Sequence, residues 1–337
     1  METRNYPPPH GVALPLPYHL VTQFPDPSWI ENIAVRPNGD LLLTQLSFGP
    51  GTHLFSIPNP SGPSPAVTTV HTFPTVATLF GITEAAPDLF VLVGGNASTP
   101  GAFYAWTVDF RHAGGGASAS PAITEIAHLT DAVVPNGVTS IPAHGRDEVG
   151  VVLVADSLAG LVWRVDAASG AYDVAVRVPE LAPPVGAGAS AVGVNGLKWH
   201  RGYLYWTNSA LVGVYRVRVG RDGMVGEGAM VEKIAAIDAG FLDDFAVDED
   251  GVVWVVTNSD NRLLAVRVGD GESVVVRGGV ADRAVLGGTA AAFGRGRSDG
   301  KVLYVTTCGG FRERANGGRN DTEGAKVVAV NTAGFKF

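Results

Sequence analysis

Short apolar runs separated by turn residues recur along the whole 337-residue chain, and helical periodicity is nearly absent. Each recurrence begins with a polar residue and an apolar stretch, passes through a turn, and continues into a β-rich run that ends in Thr, Ser, Asp or Asn. The first one consists of Glu31–Val35, a turn at Pro37–Gly39 and the run Leu41–Gln45. Short apolar runs bounded by Gly, Pro, Asn and Asp are typical of β-strands joined by tight turns.

This unit repeats about every 50 residues, which is the spacing of propeller blades. Its starting residues, here called anchors, are Glu31, Gly81, Asn136, Asn195, Asp243 and Thr289. Each unit carries at least one further strand after the second run, and six units fill the chain. The pattern therefore predicts an all-β fold, a six-bladed β-propeller that forms a single domain over residues 1–337.

The N-terminal run Tyr18–Phe24 precedes the first anchor and has no unit of its own. We expect it to complete the last blade beside Lys326–Val330, which closes the ring and leaves no sheet edge exposed. Two long connections are candidate lids: the segment Pro179–Val194, rich in Pro, Gly and Ala, and the charged, Gly-rich segment Phe311–Gly324.

Charge and composition narrow the classes of partner. The net charge of −8 and the pI near 5.5 disfavour nucleic acids and anionic membranes as partners. The single cysteine, Cys308, permits no intrachain disulfide. No apolar run reaches the roughly 20 residues of a membrane helix, and the N-terminus lacks the basic and apolar regions of a secretory signal. We therefore expect a cytoplasmic protein without a nucleic-acid or membrane partner.

Several anchors, or the residues next to them, have acidic or amide side chains, which the adjoining apolar strands do not require for folding. In a propeller the innermost strand of each blade lines the central channel, so residues at equivalent strand starts meet at one mouth. Carboxylates that meet in this way raise one another's pKa or take up a cation, and oxygen ligands suit Ca²⁺, Mg²⁺ or Mn²⁺. One such residue alone would be an ordinary turn residue, but the recurrence favours a functional pocket. The converging side chains are Glu31, Asn32, Asn136, Asn195, Asp243 and Asp244.

At these residues the chain resembles the SMP-30/gluconolactonase-like six-bladed propellers. The resemblance implies a divalent-metal site formed by Glu31, Asn195 and Asp243, with Asn136 in contact with the substrate. Asn32 and Asp244 depart from the pattern of that family, which has glycine after each of the two acidic residues.

Longer segments resemble a fungal branch of these propellers that contains the hetero-Diels–Alderases of tropolonic sesquiterpenoid biosynthesis. The branch implies dehydration of a benzylic alcohol to an o-quinone methide. An alkene of a terpene then captures this intermediate in a hetero-Diels–Alder step, which forms a meroterpenoid, a product of specialised metabolism. This cyclase reaction would require no cofactor. The segments that carry the resemblance are Glu31–Gly39, Val134–Val138, Val152–Ser157, Asp243–Gly251 and Thr289–Arg295.

The implied reaction needs a general acid near the leaving hydroxyl and a base near the phenol, with amide donors to polarise the carbonyl. The expected catalytic residues are Glu31, Asn136, Asn195, Asp243 and Asp244. Hydrophobic small-molecule substrates would be bound, and water excluded, by Asn32, Trp29, Phe80, Trp106 and Phe245. Packing between blades explains each of these aromatic residues equally well. Two alternatives stay open, a divalent-metal lactonase or esterase and a non-catalytic propeller that binds a partner.

Overall fold

Six four-stranded antiparallel sheets form a ring in the computed structural model, which describes residues 12–49, 51–111, 120–143, 145, 148–188, 191–311 and 322–337. Blades 1 to 3 contain, from the channel outward, β2 (Ile30–Val35), β3 (Leu41–Gln45), β4 (Thr52–Ile57) and β5 (Thr68–Phe73); β6 (Thr78–Ala86), β7 (Leu89–Gly95), β8 (Phe103–Asp109) and β9 (Ala122–His128); and β10 (Pro135–Ile141), β11 (Val151–Asp156), β12 (Leu161–Val165) and β13 (Tyr172–Val176). The expected six-bladed, all-β propeller is confirmed.

Blades 4 to 6 contain, in the same order, β14 (Val194–His200), β15 (Tyr203–Asn208), β16 (Gly213–Arg218) and β17 (Glu232–Ala236); β18 (Leu242–Val247), β19 (Val253–Thr257), β20 (Arg262–Val266) and β21 (Ser273–Gly278); and β22 (Gly288–Phe293), β23 (Val302–Thr307), β24 (Lys326–Asn331) and β1 (Tyr18–Gln23). Two one-turn 3₁₀ helices, Pro179–Leu181 and Arg283–Val285, lie in the connections before β14 and β22. In the described part of the chain no helix is long and apolar enough to cross a membrane.

The hydrophobic core consists of one cluster at each junction between neighbouring blades. The fully buried Trp206 packs between blades 3 and 4, and Trp254 packs between blades 5 and 6. The inner strands are buried on both faces, as β2 shows, whereas an outer strand such as β5 is mostly exposed. Tight turns reverse the chain between neighbouring strands. One of them, between β2 and β3, contains Gly39, whose φ of 90° favours glycine.

The N-terminal strand closes the ring as predicted. β1 pairs antiparallel with β24, from Tyr18 opposite Val330 to Gln23 opposite Lys326. All six inner strands begin at the same end of the channel, because each connection from an outer strand leads to the next inner strand there. This end is called the anchor mouth below.

Deleting residues 1–25 should lower the melting temperature and broaden the transition, because β24 would then carry an unpaired edge. Differential scanning calorimetry measures both effects. A shorter truncation, which removes only residues 1–11 and keeps β1, is the control. An unchanged transition after the longer deletion would show that ring closure does not depend on β1.

Candidate functional site

Every inner strand carries a β-bulge near its start, at the anchor mouth. In β2 the register shifts between Ile30 and Asn32, so Glu31 has no partner residue on β3. Equivalent shifts occur in β6, β10, β14, β18 and β22. A bulge redirects side chains and bends its strand, and the six equivalent positions lie at one mouth.

The bulges define a ring of first positions that differs from the predicted anchors in one blade. Ile33 pairs with Leu43 in blade 1, and Ile82 pairs with Leu92 in blade 2. Counting back from these pairs makes Phe80, not Gly81, the equivalent of Glu31. All six first-position residues are buried, and they are Glu31, Phe80, Asn136, Asn195, Asp243 and Thr289.

Two carboxylates and one amide of this ring are held by neighbouring donors and acceptors. Trp29 Nε1 donates to Glu31 Oε2, and Asn258 Nδ2 donates to Asp243 Oδ2 over 3.0 Å. Asn195 Nδ2 donates to Ser209 Oγ over 3.0 Å, which directs its carbonyl oxygen away from Ser209. The buried polar groups at the mouth therefore have fixed orientations, as a preorganised site requires.

The next residues along the inner strands form a second ring, which is asymmetric. Gly81, Gly137 and Gly196 occupy it in blades 2 to 4, where a Cβ atom would lie within 2.5 Å of the following inner strand or its side chains. Asn32 and Asp244 occupy it in blades 1 and 5, with the small Ala290 of blade 6 between them. Asn32 Nδ2 donates to Asp244 Oδ2 over 2.9 Å, across blade 6.

Lys198 joins this second ring, although sequence analysis did not single it out. Its ammonium group lies 2.7 Å from both Asp244 carboxylate oxygens and 5.6 Å from the centre of the Phe245 ring. A signal was present in the sequence, because Lys198 follows Gly196 by two residues and therefore shares its face of the inner strand.

An aromatic cluster borders the Glu31 side of the mouth and consists of Trp29, Phe48 and Phe311. The Phe311 ring lies 6.3 Å from Trp29 and 4.3 Å from Phe48. Phe48 is half exposed, so the cluster presents an accessible aromatic surface beside a carboxylate. Sequence analysis found Trp29 only, because Phe48 and Phe311 lie in loops outside the repeated strands.

Three of the expected substrate-contact residues pack at junctions between blades. Trp106 is on β8, the third strand of blade 2, where its ring contacts Phe73 of blade 1 at 4.9 Å, far from the inner strands. Phe245 is fully buried between blades 4 and 5. Phe80 packs between blades 2 and 3, with its ring 6.4 Å from Phe103. Wedge-shaped blade junctions need large apolar side chains, which explains all three.

The first candidate lid is fixed at its base. Asn208 Nδ2 donates to the carbonyl oxygens of Glu180 and Ala182, and Gly193 N donates to Ser157 O. Val185 at the tip is fully exposed. The second candidate lid, Phe311–Gly324, lies mostly outside the described residues, because its positions 312–321 are not among them.

The charged residues described at the opposite end of the channel form ion pairs with one another. Arg295 of blade 6 bridges to Glu84 of blade 2 over 2.5 Å and to Val35 O over 3.1 Å. A cleft of about 650 Å³ on that face is lined by Arg164 and Asp173, which pair with each other at 2.9 Å. Arg164 and Asp173 belong to two strands of a single blade, whereas the anchor mouth has buried carboxylate and amide groups from several blades and is therefore the better candidate.

The donor types at the mouth fit a hard divalent cation. If one binds, the carboxylates of Glu31 and Asp243 and the amide oxygen of Asn195 would hold it, since such oxygen ligands suit Ca²⁺ and Mg²⁺. Across the described ranges no group of three or more His, Cys, Asp or Glu side chains is spaced for a metal. A site here would therefore depend on the amide.

Comparison of the sequence with known proteins identifies two relatives that share most of its length. No family model matches the chain. A candidate hetero-Diels–Alderase of a Phoma species is 31% identical over 333 residues, covering 90% of this chain and 90% of the relative. Another candidate hetero-Diels–Alderase, from Sarocladium schorii, is 28% identical over 357 residues, covering 96% of this chain and 85% of the relative.

Solved structures show the fold. The calcium-binding protein regucalcin from Agrobacterium tumefaciens superposes with a TM-score of 0.60 at 15% identity, over 96% of this chain and 99% of that chain. A candidate gluconolactonase superposes with a TM-score of 0.58 at 13% identity, over 98% of this chain and 96% of that chain. At these identities, the likeness extends to the six-bladed architecture alone.

Replacing Ser209 by Ala should lower the free energy of unfolding by about 1–3 kcal/mol. The change leaves Asn195 Nδ2 without its acceptor and the Leu242 carbonyl without the donor that lies 2.6 Å away. Urea unfolding measures the loss. Ser273→Ala, on an exposed part of β21, should change stability by less than about 0.5 kcal/mol. Equal effects of the two substitutions would contradict the role given to Ser209.

Proposed function

Because the chain belongs to the hetero-Diels–Alderase family of six-bladed propellers, we propose that it couples an o-quinone methide with an alkene of a terpene at the anchor mouth. The proposal depends on the buried side chains of Glu31, Asp243 and Asn195, which stand at the starts of inner strands at that mouth. Membership of an enzyme family argues against the alternative of a non-catalytic propeller that binds a partner. The substrates we propose are hydrophobic small molecules.

Dehydration is the first step of the proposed reaction. Glu31 takes the proton of a phenol hydroxyl while Asp243 gives a proton to the benzylic hydroxyl, whose C–O bond breaks to release water. The products are a neutral o-quinone methide and the two carboxyl groups with their protons exchanged. We assign the phenol to the Glu31 side because the aromatic cluster of Trp29, Phe48 and Phe311 can stack a planar ring there.

Cycloaddition is the second step, and it needs position more than covalent chemistry. The alkene forms one bond to the methide carbon and one to the carbonyl oxygen, which restores the aromatic ring and closes a dihydropyran. Holding two apolar partners in reacting orientation supplies a large entropic advantage. We assign the hydrogen bond to the carbonyl oxygen to the Asn136 amide, and a positioning role to Asn195, whose Nδ2 already donates to Ser209 Oγ.

Apolar residues on the face of the anchor mouth support hydrophobic substrates. Phe48, Val133, Val185 and Val280 are exposed large apolar side chains in the loops at this end of the blades. A rim of this kind favours transfer of apolar molecules from water. It also limits the access of water, which adds to quinone methides and would divert the intermediate.

A divalent-metal lactonase remains the competing function, since the oxygen donors fit a hard cation. A bound cation would polarise a lactone carbonyl, with Glu31, Asn195 and Asp243 as its ligands. The proposed cyclase does not need this chemistry, because proton transfer and positioning by the residues of the chain suffice. The two functions therefore differ in their response to chelation.

Replacing Glu31 by Gln should lower kcat about 100- to 10,000-fold, which is the usual contribution of a general acid or base. Product formation from a synthetic benzylic-alcohol precursor and a terpene alkene measures the effect. Asp248→Asn is the matched control, because Asp248 also accepts an indole N–H, from Trp254 at 2.9 Å, but lies toward the opposite end of the channel. A kcat for Glu31→Gln close to that of the control would exclude Glu31 from proton transfer.

Exhaustive dialysis against EDTA should leave cyclase activity unchanged, because no step of the proposed reaction passes through a metal. Elemental analysis of the dialysed protein establishes that the metal has been removed. If all activity disappears and returns with Ca²⁺, Mg²⁺ or Mn²⁺, the lactonase function becomes the better assignment.

A further inference from the structure

We propose that Lys198 binds the oxygen of the aromatic reactant, so that this reactant enters the channel oxygen-first. The inference deepens the proposed function, on which it rests. It concerns a residue that neither the repeated anchors nor the expected metal ligands include.

Geometry places a fixed cation one layer below the first-position ring. Lys198 Nζ contacts both oxygens of Asp244 at 2.7 Å, while a quarter of the lysine side chain remains exposed and Asp244 is almost fully buried. An ammonium group has three N–H donors. The two contacts with Asp244 occupy at most two of them, so at least one donor remains for a ligand of this partly exposed side chain.

Asp244 is saturated and serves as the counter-ion. Its Oδ1 also accepts from Phe245 N at 2.8 Å, and its Oδ2 also accepts from Asn32 Nδ2 at 2.9 Å. Four hydrogen bonds leave no lone pair for a substrate proton, so Asp244 acts as a positioning residue rather than the acid or base expected from sequence. Asn32 likewise positions Asp244 rather than binding the substrate directly.

The consequence is a specificity for reactants that carry an anionic or strongly polarised oxygen. A phenolate or enolate oxygen would accept a charge-assisted hydrogen bond from the remaining N–H of Lys198. The same bond to the carbonyl oxygen of the quinone methide withdraws electron density from the diene, which favours reaction with an electron-rich alkene. A neutral ether at that position could not be anchored in this way.

A chromophoric probe tests the oxygen site without the natural substrates. Above the pKa of 4-nitrophenol, the wild-type protein should bind 4-nitrophenolate about tenfold or more tightly than 4-nitroanisole, as a charge-assisted hydrogen bond implies. Absorbance titration measures both affinities. Lys198→Met should remove the preference, and Lys198→Arg should retain most of it.

Two controls separate binding from folding. Lys233→Met removes a lysine from β17, the outer strand of the same blade, and should keep the preference. The double variant Lys198→Met/Asp244→Asn leaves no unpaired carboxylate in the channel and should lose the preference while retaining a cooperative melt. A wild-type protein without preference, or a folded Lys198→Met variant that keeps it, would overturn the inference.

The outcome stays distinguishable from that of the proposed function. If the probe preference depends on Lys198 but no cyclised product forms, the coupling reaction is wrong and the oxygen site stands. If cyclisation occurs at equal kcat and KM in wild type and Lys198→Met, the coupling reaction stands and Lys198 has no part in it.

Discussion

Buried carbonyl groups at the free edges of the inner strands impose the constraint on which the rest of the structure depends. Each inner strand pairs within its sheet on one side only, so its other edge faces the channel and the neighbouring blade. A buried carbonyl without a donor costs about 1–3 kcal/mol. Hydroxyl groups of adjoining blades supply the donors: Thr44 to Phe80 O, Ser157 to Val194 O, Ser209 to Leu242 O, Thr207 to Asp243 O and Thr289 to Ile30 O.

The same bonds that join the blades also orient the candidate site. Ser209 donates to a carbonyl of blade 5 and accepts from the Asn195 amide, so one hydroxyl satisfies the backbone and fixes an anchor. Asn258 divides its amide between Asp243 and the Gly288 carbonyl in a similar way. Each member of such a network polarises and restrains the next. The packing of the blades therefore sets the geometry of the mouth, and a substitution that alters the candidate site also changes the free energy of unfolding.

The architecture could be predicted from repeats and local patterns in the sequence, whereas contacts between distant residues could not be predicted. The six units, their inner and middle strands and the closure by β1 follow from apolar runs and turns, which are local signals. Outer strands such as β5 are polar and half exposed, so their pattern is weak. Blade 2 carries the apolar Phe80 at its first position, so a pattern of strands with polar or turn residues at their start pointed to Gly81, and only the strand pairing shows the equivalence. The Lys198–Asp244 contact joins positions 46 residues apart in neighbouring blades. The repeat aligns the two inner strands, but it does not show which of their side chains meet.

Asymmetry in the second ring would suit a nearly sixfold scaffold to the proposed reaction between two different partners. A ring of identical positions would hold two reactants in many equivalent arrangements, and little entropy would be saved. Here the glycines on blades 2 to 4 let neighbouring inner strands approach closely and present no side chain, whereas Asn32, Asp244 and the Lys198 ammonium group place charge and hydrogen bonds toward blades 1 and 5. In the proposed reaction, an oxygen-bearing aromatic reactant would bind on the charged side and the apolar alkene on the side without polar side chains. Each partner would then have one favourable place, so their relative orientation would be fixed before reaction, and fixed orientation is the main contribution a protein can make to a cycloaddition.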